Sequence, residues 1–181
     1  MKKNSTVFLL ILMIMLFALS CSESNLPVYG TWKLLPDKST NLVTWRYRTL
    51  EMDIINHEGE ITILNKWKQR KTVAFVDSAT FTPDGAPAEI EVTSQIWPEN
   101  WYMGVLSIKD SMKKVSGTWL QQDKELETIT EQPVQTSQGE TTITTTRTYK
   151  LNRKGDELTV IEKRSSRPTP ITLVLKRVVA E

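Results

Sequence analysis

The 181 residues carry 23 basic and 21 acidic side chains, a single histidine, a single cysteine and six tryptophans. A charge this close to balance lacks the strong basic excess that a nucleic-acid binder exchanges for phosphate counterions, so no nucleic-acid partner is expected. One cysteine permits no intramolecular disulfide, and one histidine beside it supplies too few ligands for the common zinc sites.

Lys2 and Lys3 precede an uncharged apolar run from Val7 to Leu19, and small Ala18 and Ser20 lead into Cys21. The run is about 13 residues, short of the roughly 20 that a spanning helix needs. Residues 1–20 therefore read as a secretory signal peptide that is removed, with an uncleaved anchor as the weaker alternative. They hold two lysines and no acid, so the remaining chain has 21 charges of each sign and is formally neutral. Residues 21–27, from Cys21 to Pro27, read as a tether. Residues 28–181 suit one domain, large enough to bury a core without disulfides.

From Val28 onward apolar residues recur at intervals of two rather than three and four, which predicts an all-β domain without an amphipathic helix. Leu50, Met52 and Ile54 alternate with Glu51 and Asp53, Asn56-His57-Glu58-Gly59 turns the chain, and Ile61 and Ile63 return, a hairpin pattern. Val73 and Phe75 continue it, Pro83-Asp84-Gly85 breaks it, Ile90, Val92 and Ile96 resume it, and Trp97-Pro98-Glu99-Asn100 breaks it again. Strands at Trp101 to Ile108 and Val115 to Leu120 flank a turn at Asp110-Ser111, and Leu126 to Thr130 follows. The Thr-rich run Thr141 to Leu151 turns at Lys154-Gly155-Asp156 into Leu158 to Lys163, and Arg167-Pro168-Thr169-Pro170 turns that into Ile171 to Val179. Short strands at this spacing predict an antiparallel sandwich or barrel. Hairpin-length connections, and the need to hide the edge of the long Thr141 to Leu151 strand, favour a meandering barrel of about 8–10 strands over a β-sandwich.

Ala18-Leu19-Ser20-Cys21 resembles the lipobox of bacterial lipoproteins. The resemblance implies that Cys21 becomes the acylated first residue of the mature chain, carrying chains such as palmitate. It implies a Gram-negative envelope protein, anchored most naturally in the outer membrane. Stable attachment takes more than one acyl chain at about 0.8 kcal/mol per buried methylene, which a multiply acylated cysteine satisfies. A reactive or dimerising thiol, or a small buried hydrophobe, would not account for the place of Cys21 at the end of the apolar run. Glu23 resembles the acidic export signals that follow some lipoprotein anchors, without deciding between the periplasmic and the surface face.

Gly30-Thr31-Trp32 opens the first strand, and Leu173, Leu175 and Arg177 share one face of the last. Together they resemble the lipocalin-like (calycin) group, whose first strand bears Gly-x-Trp and whose final strand brings an Arg or Lys across that indole. The opening from Gly30 to Ser39 and the ending from Arg147 to Val160 and Leu175 to Val178 also look like small lipocalin-like bacterial lipoproteins. The resemblance implies a barrel closed at one end by Trp32 and Arg177, with a small hydrophobic or amphipathic ligand inside. Alternation agrees, since Arg177 faces inward if Leu173 and Leu175 do. A second Gly-Thr-Trp, Gly117 to Trp119, is followed by residues unlike those after the first and reads as coincidence rather than a repeat. Asp77-Ser78-Ala79 and Asp110-Ser111-Met112 resemble O-glycosylation acceptor sites of Gram-negative periplasmic proteins, which makes Ser78 and Ser111 candidates for modification.

His57 has Asp53, Glu58 and Glu60 nearby in sequence, a neighbourhood that would suit a general base, but a hairpin turn is also an ordinary place for a solvated polar residue. No acid, base and nucleophile assemble from the remaining residues, so no enzyme is expected. No Asp-rich calcium loop, phosphate-cradling glycine loop or Gly-x-Ser-x-Gly elbow occurs, and no metal or cofactor is expected. The binding candidates are aromatic. Trp97, Trp101 and Tyr102 flank a proline-bearing turn, either to line a barrel mouth or to seal the core, and Trp45, Tyr47 and Trp67 are further candidates for a cavity lining. Two functions follow: interior carriage of a small apolar or amphipathic molecule, or a noncatalytic module that binds glycan or a partner protein through Trp97 to Tyr102. A hollow of several hundred cubic ångströms would favour the first and a filled interior the second.

Overall fold

The computed structural model describes residues 27–40, 49–69, 72–97 and 105–179. Among the described residues eleven strands run in chain order: β1 (Gly30–Leu34), β2 (Thr49–His57), β3 (Glu60–Gln69), β4 (Thr72–Phe81), β5 (Ala88–Glu91), β6 (Leu106–Ser107), β7 (Met112–Gln121), β8 (Glu125–Thr136), β9 (Gly139–Leu151), β10 (Glu157–Arg164) and β11 (Arg167–Arg177). The single helical element among the described residues is a 3-10 turn at Pro36–Lys38. Ten strands form one antiparallel path, β4-β3-β2-β1-β11-β10-β9-β8-β7-β5, while β6 pairs with β8. The all-β meander barrel expected from the alternation is thus present.

The hairpins form where the turn chemistry allows. Between β2 and β3, Glu58 and Gly59 both take positive φ, 53° and 91°, the conformation that matches a two-residue turn to the twist of its strands. Asn56 Oδ1 accepts from the Gly59 amide and fixes the turn. In β8, Pro133 pairs with Thr142 of β9 and on its other side stands between the ladder to β7, which ends at Lys114–Glu131, and the pairing of Val134 with Ser107 of β6. A residue without an N–H is tolerated there because neither β6 nor β7 pairs with it.

First and last strands are joined by a full ladder, with Trp32 opposite Arg177 and Leu34 opposite Leu175. The break in the barrel lies instead in mid-chain, between β4 and the β5–β7 edge. Pro83 and Pro87 deny the connection two amide donors, and Asp84 turns through a φ of 61°. The seam is closed by other means. The Asp84 amide donates to the Gly117 carbonyl, Asp77 forms an ion pair with Lys113, and the Phe81 ring packs where Gly117 has no side chain.

Inward residues fall into two regions. The lower barrel is apolar, with Trp32, Leu34, Leu50, Met52, Ile54, Ile61, Ile63, Phe81, Val115, Leu126, Tyr149, Leu158, Val160, Leu173 and Leu175 in one buried cluster. A smaller cluster of Trp97, Val134 and Ile143 caps the upper end. Outside, Glu51 and Asp53 on β2 face Lys66 and Lys68 on β3 in a half-exposed ion-pair network. Burial pushes the Asp53 carboxyl up, but hydrogen bonds from Lys66 and Thr31 outweigh it and hold the group below the usual carboxylate range.

Candidate functional site

The closed end is built on Trp32 and Arg177, as the resemblance implies. Trp32 is fully buried, and its Nε1 donates to the Val28 carbonyl at 2.8 Å. Arg177 lays its guanidinium 4.2 Å from the centre of that indole. It also donates to three backbone carbonyls, Gly155 O at 2.8 Å, Tyr29 O at 2.6 Å and Pro27 O at 2.5 Å. The segment 27–29 is thereby strapped across the lower mouth. Gly30 explains its own place in the motif: its φ is 125°, and a Cβ there would stand 2.9 Å from Arg177 Nη1. Burial lowers the Arg177 pKa from its usual value.

The second Gly-Thr-Trp performs a different task. A Cβ on Gly117 would lie 2.0 Å from Phe81 Cε2, so the glycine is required by seam packing rather than by a repeat. Trp119 meets Tyr29 edge-to-face with centroids 6.2 Å apart. The Tyr29 hydroxyl donates to Asp123 Oδ1 at 2.5 Å. Burial, and then that hydrogen bond and the charge behind it, push the phenol up to about 12.

Above the apolar core, a belt of polar side chains crosses the barrel interior. Its members come from successive strands: Asn65 on β3, Asp77 on β4, Lys113 on β7, Thr128 and Thr130 on β8, Thr145 and Arg147 on β9, Glu162 and Arg164 on β10. On β7 and β10 they stand on inward positions in alternation with exposed ones, so the belt there is a change in the inward residue type and not a shift of register. Glu162 is 3 % exposed and accepts from Arg147 Nε at 2.7 Å and Arg164 Nε at 2.6 Å. Arg164 in turn lies 5.0 Å from the Trp97 ring centre. The Lys113 Nζ donates to Asp77 across the seam.

A cavity of about 100 Å³ opens above this belt, between Asn65, Lys113, Gln132 and Arg147 below and Trp67, Phe75, Ile90 and Trp97 around its upper wall. A deeper hollow of about 20 Å³ shares Asn65, Asp77, Lys113 and Arg147 and reaches down to Phe81 and Tyr149 of the core. Two aromatic candidates, Trp67 and Trp97, are therefore brought to one cavity. Trp97 is buried under Arg164 rather than displayed, an arrangement suited to an interior lining and not to an external sugar-stacking platform. Trp45, Tyr47, Trp101, Tyr102 and Cys21 lie outside the described residues. The volume falls between the two expectations, well below several hundred cubic ångströms yet not filled.

The remaining candidates are placed as follows. His57 ends β2, exposed, opposite Glu60. Ser78 is exposed on β4, and Ser111 donates its hydroxyl to the Ile108 carbonyl in the turn where Asp110 takes a φ of 64°. Among the described residues no three His, Cys, Asp or Glu side chains are arranged to hold a metal ion, and no helix is long and apolar enough to cross a membrane. The belt itself escaped sequence reasoning. Its signal was the replacement of apolar by polar residues at alternate positions of otherwise regular strands, as in Thr128-Ile129-Thr130 and Glu162-Lys163-Arg164.

No protein-family model and no curated protein sequence matches the chain. Several solved structures are similar to it in shape. The REP1-NXSQ fatty acid transporter is 14% identical, with 85% of this chain and 98% of that chain covered and a TM-score of 0.48. Human cRBP IV is 13% identical, with 83% and 97% covered and a TM-score of 0.49. Secretory abundant heat soluble protein 4 from Ramazzottius varieornatus is 14% identical, with 84% and 96% covered and a TM-score of 0.49.

Proposed function

We propose that the protein is a noncatalytic, lipid-tethered barrel that holds a small amphipathic molecule in its upper interior. The observation that carries this is the cavity itself, where two indoles and a phenyl ring meet a set of inward polar groups. Concave sites that combine apolar walls with a few placed polar groups are the usual form of a small-molecule site. At about 100 Å³ the space suits a compact molecule, or the head of a larger one that leaves through the mouth; a rigid site for benzene occupies about 150 Å³. Titration of intrinsic tryptophan fluorescence with candidate amphiphiles, repeated on Trp97→Ala, tests it. Saturable quenching that weakens at least tenfold in the variant is expected, and the absence of any saturable ligand would overturn it.

Acylation at Cys21 and residence in the outer membrane belong to the same proposal and rest on the signal-like residues 1–20. Residues 27–29 are strapped to Arg177 at the closed end, so a chain acylated at Cys21 would enter the barrel there, with the cavity at the other end. Metabolic labelling with an alkynyl palmitate analogue is expected to mark the wild type and not Cys21→Ala; an unlabelled wild type would remove the anchor from the proposal.

A further inference from the structure

The belt carries information about what the cavity takes. Among the described residues, its inward charges are three cations, Lys113, Arg147 and Arg164, against two carboxylates, Asp77 and Glu162. Glu91 stands at the cavity rim but is exposed to solvent. Lys113 and Arg164 have side chains only 5% and 1% exposed, while the Asp77 side chain is 35% exposed. The cations are thus buried more deeply than the acid that faces Lys113, and an added anion at this level would balance charge where solvent cannot.

A second feature is independent of charge. Asn65 is 9% exposed, lines both the cavity and its deeper extension, and its Oδ1 has no hydrogen-bond partner among the described residues. An amide oxygen only accepts, and a buried acceptor without a donor is rare in folded proteins. It calls for an N–H or O–H from the occupant. A third feature is size: a long acyl chain cannot be housed, whereas a short apolar or aromatic tail can lie against Trp67, Phe75 and Trp97.

Resting on the interior site argued above, we infer that its ligand is a compact carboxylate with a hydrogen-bond donor beside the acid group, the head of a hydroxy or amino acid, seated head-down on the belt with a short apolar or ring-bearing tail towards the mouth. The carboxylate lies on the Lys113 and Arg147 side, and its neighbouring hydroxyl or amine donates to Asn65 Oδ1. The ring or branched tail then occupies the aromatic wall. An uncharged analogue forfeits the first contact, and an acid without the donor forfeits the second.

Calorimetric titration of the purified full chain with four probes tests this: 3-phenyllactate, its methyl ester, hydrocinnamate and palmitate. Phenyllactate is expected to bind at least tenfold more tightly than its ester and several-fold more tightly than hydrocinnamate. Asn65→Leu, which replaces a buried amide by an apolar group of similar size, is expected to erase the preference for phenyllactate over hydrocinnamate while the preference for acid over ester persists. Lys113→Met is expected to erase most of the preference for acid over ester. Far-ultraviolet circular dichroism establishes that each variant is folded, and if Asn65→Leu fails that check the wild-type ranking of the four probes decides alone. Equal binding of acid and ester, or tightest binding of palmitate, would overturn the inference while leaving interior carriage standing. Binding of none of the four would overturn the inference, and failure of all amphiphiles in the fluorescence assay would remove the carrier as well.

Discussion

The two ends of this barrel are built on opposite principles. At the lower end nearly every described inward position is apolar, Trp32 is sealed from solvent, and Arg177 is fastened to carbonyls and laid over an indole. At the upper end the same inward rows hold Asn65, Lys113, Glu162 and Arg164, with a small apolar cluster of Trp97, Val134 and Ile143 above them. Burial of apolar surface stabilises by about 25 cal/mol per Å², whereas a buried ion pair often does no better than apolar side chains of the same volume. The lower end therefore holds the fold together, and the upper end contributes less to stability than an apolar interior of the same volume would.

That contrast breaks most sharply at its two buried tryptophans. Trp32→Ala is expected to cost about 3–5 kcal/mol, because the indole is fully enclosed and its loss also removes the ring beneath Arg177. Trp97→Ala is expected to cost roughly half as much, since its neighbourhood is the cavity and the cavity can absorb the lost volume. Urea midpoints of the two variants measure both, and equal losses would mean that the upper end is as much a part of the core as the lower.

The belt offers the next test. Removal of the Glu162 carboxylate by Glu162→Leu leaves Arg147 and Arg164 facing each other, and is expected to destabilise by about 3 kcal/mol. Replacement of all three at once, Arg147→Met with Glu162→Leu and Arg164→Met, is expected to restore or exceed the wild-type stability while ligand binding is lost. Thermal unfolding of the single and the triple variant checks the pair. A triple variant as weak as the single one would show that the belt is structural.

Much of the lower end was legible in the sequence, because its physics is local. Alternation placed the inward rows, the Glu58-Gly59 turn was readable from residue type, and the Trp32 and Arg177 pairing was implied by the resemblance to the lipocalin-like group, with which alternation agreed. The upper end was far less legible. In a strand such as Glu157 to Arg164, period two puts Glu162 and Arg164 on the same inward face as Leu158 and Val160, but two charged residues at the strand's end read more readily as a solvated edge than as part of an interior. The seam was hidden for a different reason. Closure of a meander is naturally sought between first and last strands, and here that junction is fully paired while the break falls after β4, where Gly117 and Phe81 are 36 residues apart and only tertiary packing relates them.

Gly117→Ala sharpens the comparison at that seam. The added methyl would overlap the Phe81 ring, which is 2% exposed, so a loss of about 1–3 kcal/mol is expected. Phe81→Leu in the same chain supplies the missing space, and the double variant is expected to lose less than the sum of the two singles. Strict additivity in a double-mutant cycle would place the cost of the alanine elsewhere than in this contact. Gly59→Ala, in an open hairpin turn with nothing near the new Cβ, separates backbone strain from crowding.

The smallest effect concerns Tyr29, which ties the strap across the lower mouth to Asp123. Its phenol titrates near 12 in the folded protein against an ordinary value of 10.0, so folding favours the protonated form. The contribution is fully present below pH 10 and is lost as the pH rises from about 10 through about 12. Tyr29→Phe removes the donor to Asp123 and is expected to cost about 1 kcal/mol at neutral pH. It is also expected to flatten the alkaline decline of stability, because the group responsible for that part of the slope is gone. Ligand affinity at the upper end is expected to remain unchanged, since the strap and the belt share no residue. A variant that bound its ligand more weakly would show the two ends to be coupled through the barrel wall.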